Sequence, residues 1–269
     1  MRGRVITLTS GKGGVGKTTA TANIGIALAQ RGFQVAVVDA DIGLRNLDVV
    51  MGLENRVVYN LMHVVREVVT ADRALIRDKR VPGLMLLAAD QHSDKDDVSP
   101  EEMIAVCEVL RAHVDFVLID SPAGIEQGFR NALAPADEVI LVTTPEVSAV
   151  RDADRVIGLA EASGKSTPRL VLNRIKPDLV AKGDMMTTED VLDVLHVTIL
   201  GVVPEDGTIV AATNRGEPVA LLSEGRASRA FHNIAARLCG EDVPLESLDG
   251  AAEGSGFFNR LSHLFRGNA

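Results

Sequence analysis

Apolar residues recur along this chain in two alternating rhythms, short unbroken runs and helically spaced stripes, and that alternation predicts an α/β fold. The unbroken runs predict buried strands over 5–9, 33–39, 84–88, 114–120, 138–143, 169–175 and 197–203. Helical spacing appears over 18–30, 59–69 and 99–113, with a short helical turn over 71–76. It returns after Ser148, where Ala149, Val150, Ala153, Val156, Ile157 and Ala160 share one face, and again over 208–214 and 226–238. In the last of these, Ala227, Ala230, Phe231, Ile234, Ala235 and Leu238 form the apolar side. Ser99-Pro100-Glu101-Glu102 reads as a helix start: a serine cap, proline at the first position, and acids facing the positive end of the helix dipole. Ser148 reads as a second cap. Strands alternating with helices imply a doubly wound, mostly parallel sheet flanked by helices on both faces, with ligands at the carboxyl ends of the strands.

The rhythm changes at Gly240. From 240 to 256 the chain is acidic and small, with Glu241, Asp242, Glu246, Asp249 and Glu253 and no base, which reads as a flexible linker. Residues 257–269 follow, and they hold three of the seven phenylalanines in the protein. At 100° per residue, Phe257, Phe258, Leu261, Leu264 and Phe265 fall within an arc of about 120°, with Arg260 and Arg266 outside it. This pattern predicts an amphipathic helix. A docked last helix rarely needs so long a polar tether or cationic flanks, so the expected role is attachment to a membrane surface. One such tail binds weakly, but two on a dimer act together, with avidity of about 10² to 10⁴. The predicted organisation is therefore a body over 1–239, a linker over 240–256 and an amphipathic helix over 257–269.

Composition narrows the field. A chain of 269 residues that is 46% hydrophobic can bury one large core. No apolar run reaches the roughly 18 residues of a membrane-spanning helix, and Met1-Arg2-Gly3-Arg4 runs straight into a strand without a signal-peptide core, which predicts a cytoplasmic chain. Cys107 and Cys239 each fall in an amphipathic helix, which predicts buried thiols rather than a disulfide framework or an iron–sulfur site. His92 and His113 stand alone, without a second ligand at metal spacing. A net charge of −9 with no long basic run makes nucleic acid a secondary expectation.

The chemistry centres on Gly11-Lys12-Gly13-Gly14-Val15-Gly16-Lys17-Thr18, which fits the phosphate-binding loop pattern and stands between a predicted strand and a predicted helix. In that setting backbone N–H groups and the helix dipole hold phosphates, Lys17 reaches the β/γ-phosphates and the Thr18 hydroxyl ligates Mg²⁺. Two further strands end in acids at the same edge. Asp39 and Asp41 close the second strand, where a carboxylate can orient water or help to hold Mg²⁺. Asp120 closes the strand 114–120, ahead of Ser121-Pro122-Ala123-Gly124-Ile125-Glu126, a Walker B arrangement that can hold the water shell of Mg²⁺. Together these features point to a site for Mg²⁺ and a nucleoside triphosphate on a P-loop NTPase fold. Asn173 ends the strand 169–175 and Pro204-Glu205-Asp206 ends the strand 197–203, so both lie at the predicted ligand edge.

The form Lys-Gly-Gly-Val-Gly-Lys-Thr-Thr, residues 12–19, resembles the deviant Walker A loop of the MinD/ParA family of ATPases. The runs Asp39-Ala40-Asp41-Ile42-Gly43-Leu44-Arg45-Asn46-Leu47-Asp48 and Asp120-Ser121-Pro122-Ala123-Gly124-Ile125-Glu126 resemble the branch of that family that places the division septum, and the likeness extends over essentially the whole chain. The resemblance implies that ATP drives dimerisation and membrane attachment. It implies that Lys12 crosses the dimer interface to the partner's nucleotide and that Thr19 belongs to the nucleotide site. It implies that Asp41 orients the attacking water, that Asn173 recognises adenine beside Pro204, Glu205 and Asp206, and that Asp152 and Asp154 contact MinC- and MinE-type regulators. Read from the residues alone, Asp152 and Asp154 are a solvated helix face and Asn173 an ordinary polar strand end. The alternatives are a ParA-like DNA-segregation ATPase, which needs a basic dimer surface and no membrane helix, and a metabolic ATP-dependent ligase, which needs a small-molecule pocket beside the γ-phosphate.

Overall fold

One eight-stranded sheet organises the protein, whose structure, a computed structural model, describes residues 2–94 and 97–246. The strands are β1 (Arg4–Thr9), β2 (Val35–Asp39), β3 (Ile76–Arg77), β4 (Leu84–Leu87), β5 (Phe116–Asp120), β6 (Glu138–Thr143), β7 (Arg169–Ile175) and β8 (Ile199–Pro204). Their order across the sheet is β3-β4-β2-β5-β1-β6-β7-β8, with every neighbour parallel except the edge pair β3–β4. The chain first winds away from β1 on one side and later on the other. The crevice of such a sheet opens at that reversal, beyond the carboxyl ends of β1 and its neighbours.

Successive side chains of a strand point to opposite faces, and both faces here are apolar. Ile6, Leu8, Val37, Leu86 and Leu118 pack against helices Lys17–Gln30 and Arg226–Leu238. On the other face, Val5, Val38, Leu87 and Ile119 meet helix Pro100–Arg111 through Met103, Val106 and Leu110. Leu141, Leu170 and Leu172 meet Phe129 and helix Val147–Ala162. Ser99 caps helix Pro100–Arg111 in a capping box with Glu102, and the six apolar positions expected on helix Val147–Ala162 are all buried. Cys107 is buried, and burial pushes its thiol up to about 12, while Cys239 is half-buried.

Local geometry overrides periodicity in four places. The stripe over 59–69 forms only the five-residue helix Leu61–Val65, because Glu67 turns left-handed (φ 55°) and the N–H groups of Val68 and Val69 fold back onto the carbonyl of His63. The expected turn over 71–76 forms helix Ala71–Ala74, and Ile76 then starts β3, too short to show a strand pattern. Ser148 is not a cap: helix Val147–Ala162 starts two residues earlier than such a cap would place it, after Glu146. The acidic stretch after Gly240 is held over its first residues. Arg237 donates from Nε to the carbonyl of Val243 (2.8 Å) and from Nη2 to that of Pro244 (2.7 Å), Arg31 pairs with Glu241, and Arg229 lies 3.7 Å from Glu246. The remainder of the expected linker, 247–256, and the amphipathic stretch 257–269 lie outside the described residues.

Helix Lys17–Gln30 lies close to the sheet because Gly25 faces it: a Cβ there would stand 2.8 Å from Val37 Cγ1. Gly25→Val should therefore destabilise the protein by about 1–3 kcal/mol, despite the better helix propensity of valine. Urea unfolding reads this, and an unchanged or higher midpoint would show that the helix does not depend on that close approach.

Candidate nucleotide site

The loop 11–16 joins β1 to helix Lys17–Gln30 at the carboxyl edge of the sheet. Gly14 and Gly16 are left-handed (φ 79° and 95°), and Gly16 has no room for a side chain, since a Cβ would stand 2.3 Å from Asn173 Nδ2. Three hydrogen bonds beyond the strands tie the surrounding loops together: Ser121 N–H to Leu8 O, Gly124 N–H to Ser10 O and Ala40 N–H to Asp120 O.

Helix and sheet meet chemically at Lys17. Its ammonium donates to Asp120 Oδ1 at 2.8 Å, with both side chains buried. Thr21, one turn further along the helix, places Oγ1 3.1 Å from the same oxygen. The parallel register sets Asp39 directly beside Asp120. Burial and the neighbouring Asp120 carboxylate raise Asp39 to about 7, against two backbone donors that lower it. Those donors are the N–H groups of Asp41 (3.0 Å, to Oδ1) and Leu47 (3.1 Å, to Oδ2), so Asp39 holds both ends of the segment that follows it. Asp41 is half-buried at the start of that segment.

At the far side of the loop, Asn173 is buried and donates from Nδ2 to the carbonyl of Val15 (2.8 Å). Its Oδ1 is buried and, among the described residues, has no hydrogen-bond partner. A buried acceptor left open calls for a partner, and a ligand donor is one that this edge of the sheet can receive. The residues thus fit a Mg-nucleotide: glycines that admit close approach, a lysine at the helix start, two adjacent carboxylates and an open acceptor beyond the loop. Mg²⁺ suits this donor set, since it is commonly held through one or two carboxylates plus phosphate oxygens and water. Asp120 and the adjacent Asp39 are the carboxylates of this edge, and Thr18 follows Lys17 in the first turn of the helix.

The other expected residues divide. Thr18 and Thr19 lie half-buried in the first turn of the helix. Lys12 is exposed and turns toward its own chain, 3.4 Å from Ser148 Oγ and 3.8 Å from Glu146 Oε2. Pro204 ends β8, Glu205 lies 3.8 Å from Arg174 Nε, and Asp206 caps helix Gly207–Asn214 by accepting from Thr208 N–H (2.9 Å). Asp154 is exposed, whereas Asp152 packs its backbone against Gly11, where a Cβ would stand 2.5 Å from Asp152 O. The apolar residues of 257–265 lie outside the described residues.

Sequence reasoning missed Thr21, Glu146 and Arg174. Thr21 was findable, since i and i+4 share a helix face with Lys17. Glu146 and Arg174 come near the site through pairings that periodicity does not encode.

Comparison with known proteins agrees with this geometry. Residues 6–219 match the CobQ/CobB/MinD/ParA nucleotide binding domain. The septum site-determining protein MinD of Synechocystis sp. is 50% identical over 267 residues, 98% of this chain and 99% of that protein. MinD in the MinC:MinD cell division protein complex of Aquifex aeolicus superposes with a TM-score of 0.85 at 47% identity, covering 90% of this chain and 98% of that one. The septum site-determining protein MinD of Pyrococcus horikoshii, complexed with Mg-ADP, superposes with a TM-score of 0.79 at 32% identity, covering 87% of this chain and 95% of that one. A loop, two acids and an open acceptor at one sheet edge are thus set in a chain that shares half its residues with a MinD: it belongs to the CobQ/CobB/MinD/ParA nucleotide-binding family, and within it to the MinD septum site-determining proteins.

Proposed function

We propose that this chain is a Mg-dependent ATPase that dimerises with ATP, attaches to the cytoplasmic face of the cell membrane through residues 257–269, and helps to place the division septum with MinC- and MinE-type regulators. The observation that carries the reading is the buried Lys17–Asp120 pair at the phosphate loop, which gathers one cation and two carboxylates where a triphosphate and its metal would lie. Lys17 and the loop N–H groups bind the phosphates. Mg²⁺, when bound, neutralises charge that develops on the phosphate oxygens. Asp41 orients water, and Asn173 Oδ1 accepts from the adenine amino group. The backbone contact of Gly11 with Asp152 supports a role for this helix face in regulation, since a partner on Asp152 and Asp154 would press on the element that touches the loop.

Among the described residues no helix is long and apolar enough to cross a membrane, so attachment rests on the terminal amphipathic stretch. Residues 241–246 are fastened to the body, which leaves 247–256 as the tether. The ParA-like alternative is the more distant reading, because the relatives at about half identity are MinD proteins.

Two outcomes test the assignment. Lys12→Ala should leave a chain that stays monomeric with ATP, while Asp41→Ala should dimerise with ATP yet not hydrolyse it; size-exclusion chromatography separates them, and monomers for both would remove the hydrolytic role of Asp41. Phe258→Glu should cut ATP-dependent sedimentation with anionic liposomes steeply while the melting temperature stays parental. Normal liposome binding together with a lowered melting temperature would mean that the tail packs on its own protein, and the membrane half of the reading would fall.

A further inference from the structure

Four non-glycine residues among those described have a left-handed backbone: Arg45, Glu67, Arg174 and His196. Glu67 and His196 follow helix ends, where that conformation commonly closes a helix, and Arg45 lies in a loop with its Nε 2.6 Å from Asp48 Oδ2. Arg174 is different: it lies inside β7, with φ 60°. It is also the extra residue of a bulge. Asn173 pairs with Val203 and Ile175 with Pro204, which leaves Arg174 unmatched. Bulges re-aim side chains, and strained backbone at a strand end beside a ligand edge is a pointer to function.

What the bulge re-aims is informative. Asn173 is buried against the phosphate loop with an open Oδ1, while Arg174, one residue on, is half exposed with Nε 3.8 Å from Glu205 Oε2. Glu205 is itself tied back to β7 by its N–H on the Ile175 carbonyl (2.8 Å). A guanidinium beside a carboxylate on an anchored backbone is a flat, weakly hydrated cation, and it belongs to the residue next in the chain to Asn173 and its open Oδ1. Flat cations of this kind stack on π faces, whereas an ammonium acts as a point charge.

Resting on the ATP reading above, we propose that Arg174 is a base-stacking residue. Its guanidinium, turned outward by the bulge and steadied by Glu205, lies on the face of the nucleobase whose edge Asn173 reads. Asn173 then selects the base by its amino donor, and Arg174 adds affinity for any base with an aromatic face.

Calorimetric titration of ATP and of inorganic tripolyphosphate into the full chain and its Arg174→Lys and Arg174→Gly variants tests this. Arg174→Lys keeps the charge and loses the plane, so ATP binding should weaken about three- to tenfold while tripolyphosphate binding stays within about twofold of parental. Arg174→Gly accepts the left-handed backbone at no cost, so its melting temperature should equal or exceed the parental value while ATP affinity falls at least as far. Parental ATP affinity in either variant would overturn the proposal, as would an equal loss for ATP and tripolyphosphate in Arg174→Lys. A parent that bound neither ligand would overturn the ATP reading and this one with it. A parent that binds ATP alongside an unaffected variant overturns the stacking role alone.

Discussion

A buried lysine paired with one of two adjacent strand-end carboxylates is the constraint on which the rest of this structure depends. Asp39 and Asp120 lie side by side because β2 and β5 pair in parallel and stop at the same level, and two like charges in a buried setting repel. Lys17 answers Asp120 directly, and Asp39 keeps a proton up to about neutral pH. Breaking such a buried pair from one side costs about 3–5 kcal/mol, so the arrangement persists only if the helix start, the loop and both strands hold their places. Stability and site are thus the same feature. A chain with this much charge gathered at one sheet edge is set up to take phosphates and a cation.

From that centre the coupling runs outward by short steps. Asp39 holds both ends of the 41–47 segment through two N–H groups, Gly124 is tied to Ser10, and Gly11 packs on the backbone of Asp152. A change in charge at the phosphate loop therefore meets the loop after β2, the loop after β5 and the helix Val147–Ala162 without an intervening layer. Lys12 rests near Glu146 and Ser148 of its own chain, so the role proposed for it at a partner's nucleotide would require it to leave them.

Much of this was legible in the sequence, for identifiable reasons. Seven of the eight strands are apolar runs long enough to show as such, and Ser99-Pro100-Glu101-Glu102 specifies its helix start by local chemistry alone. The loop and Asp120 are recognisable because their spacing to a strand and a helix is part of the motif. What escaped depends on hydrogen bonding and strand pairing that hydrophobic periodicity does not encode. The two-residue β3 has no periodicity to read, and Leu61–Val65 stops where backbone hydrogen bonds on the His63 carbonyl win over an apolar stripe. The fastening of 241–246 comes from Arg31, Arg229 and Arg237, and no linear pattern joins Arg237 to the carbonyls of residues six and seven further on. The bulge at Arg174 is a property of the β7–β8 register.

If the Lys17–Asp120 pair marks the phosphate site, removing the charge of Lys17 must remove the nucleotide. Lys17→Gln keeps the length of the chain and a donor for Asp120, so the fold can be checked by its circular dichroism spectrum while Mg-ATP affinity is measured by calorimetry. The expected result is a folded protein that binds Mg-ATP at least about 100-fold more weakly than the parent, the loss of a charge-assisted contact to phosphate in a buried site. A folded Lys17→Gln protein whose ATP affinity stays within a few-fold of the parent would contradict the assignment of this loop as the phosphate site.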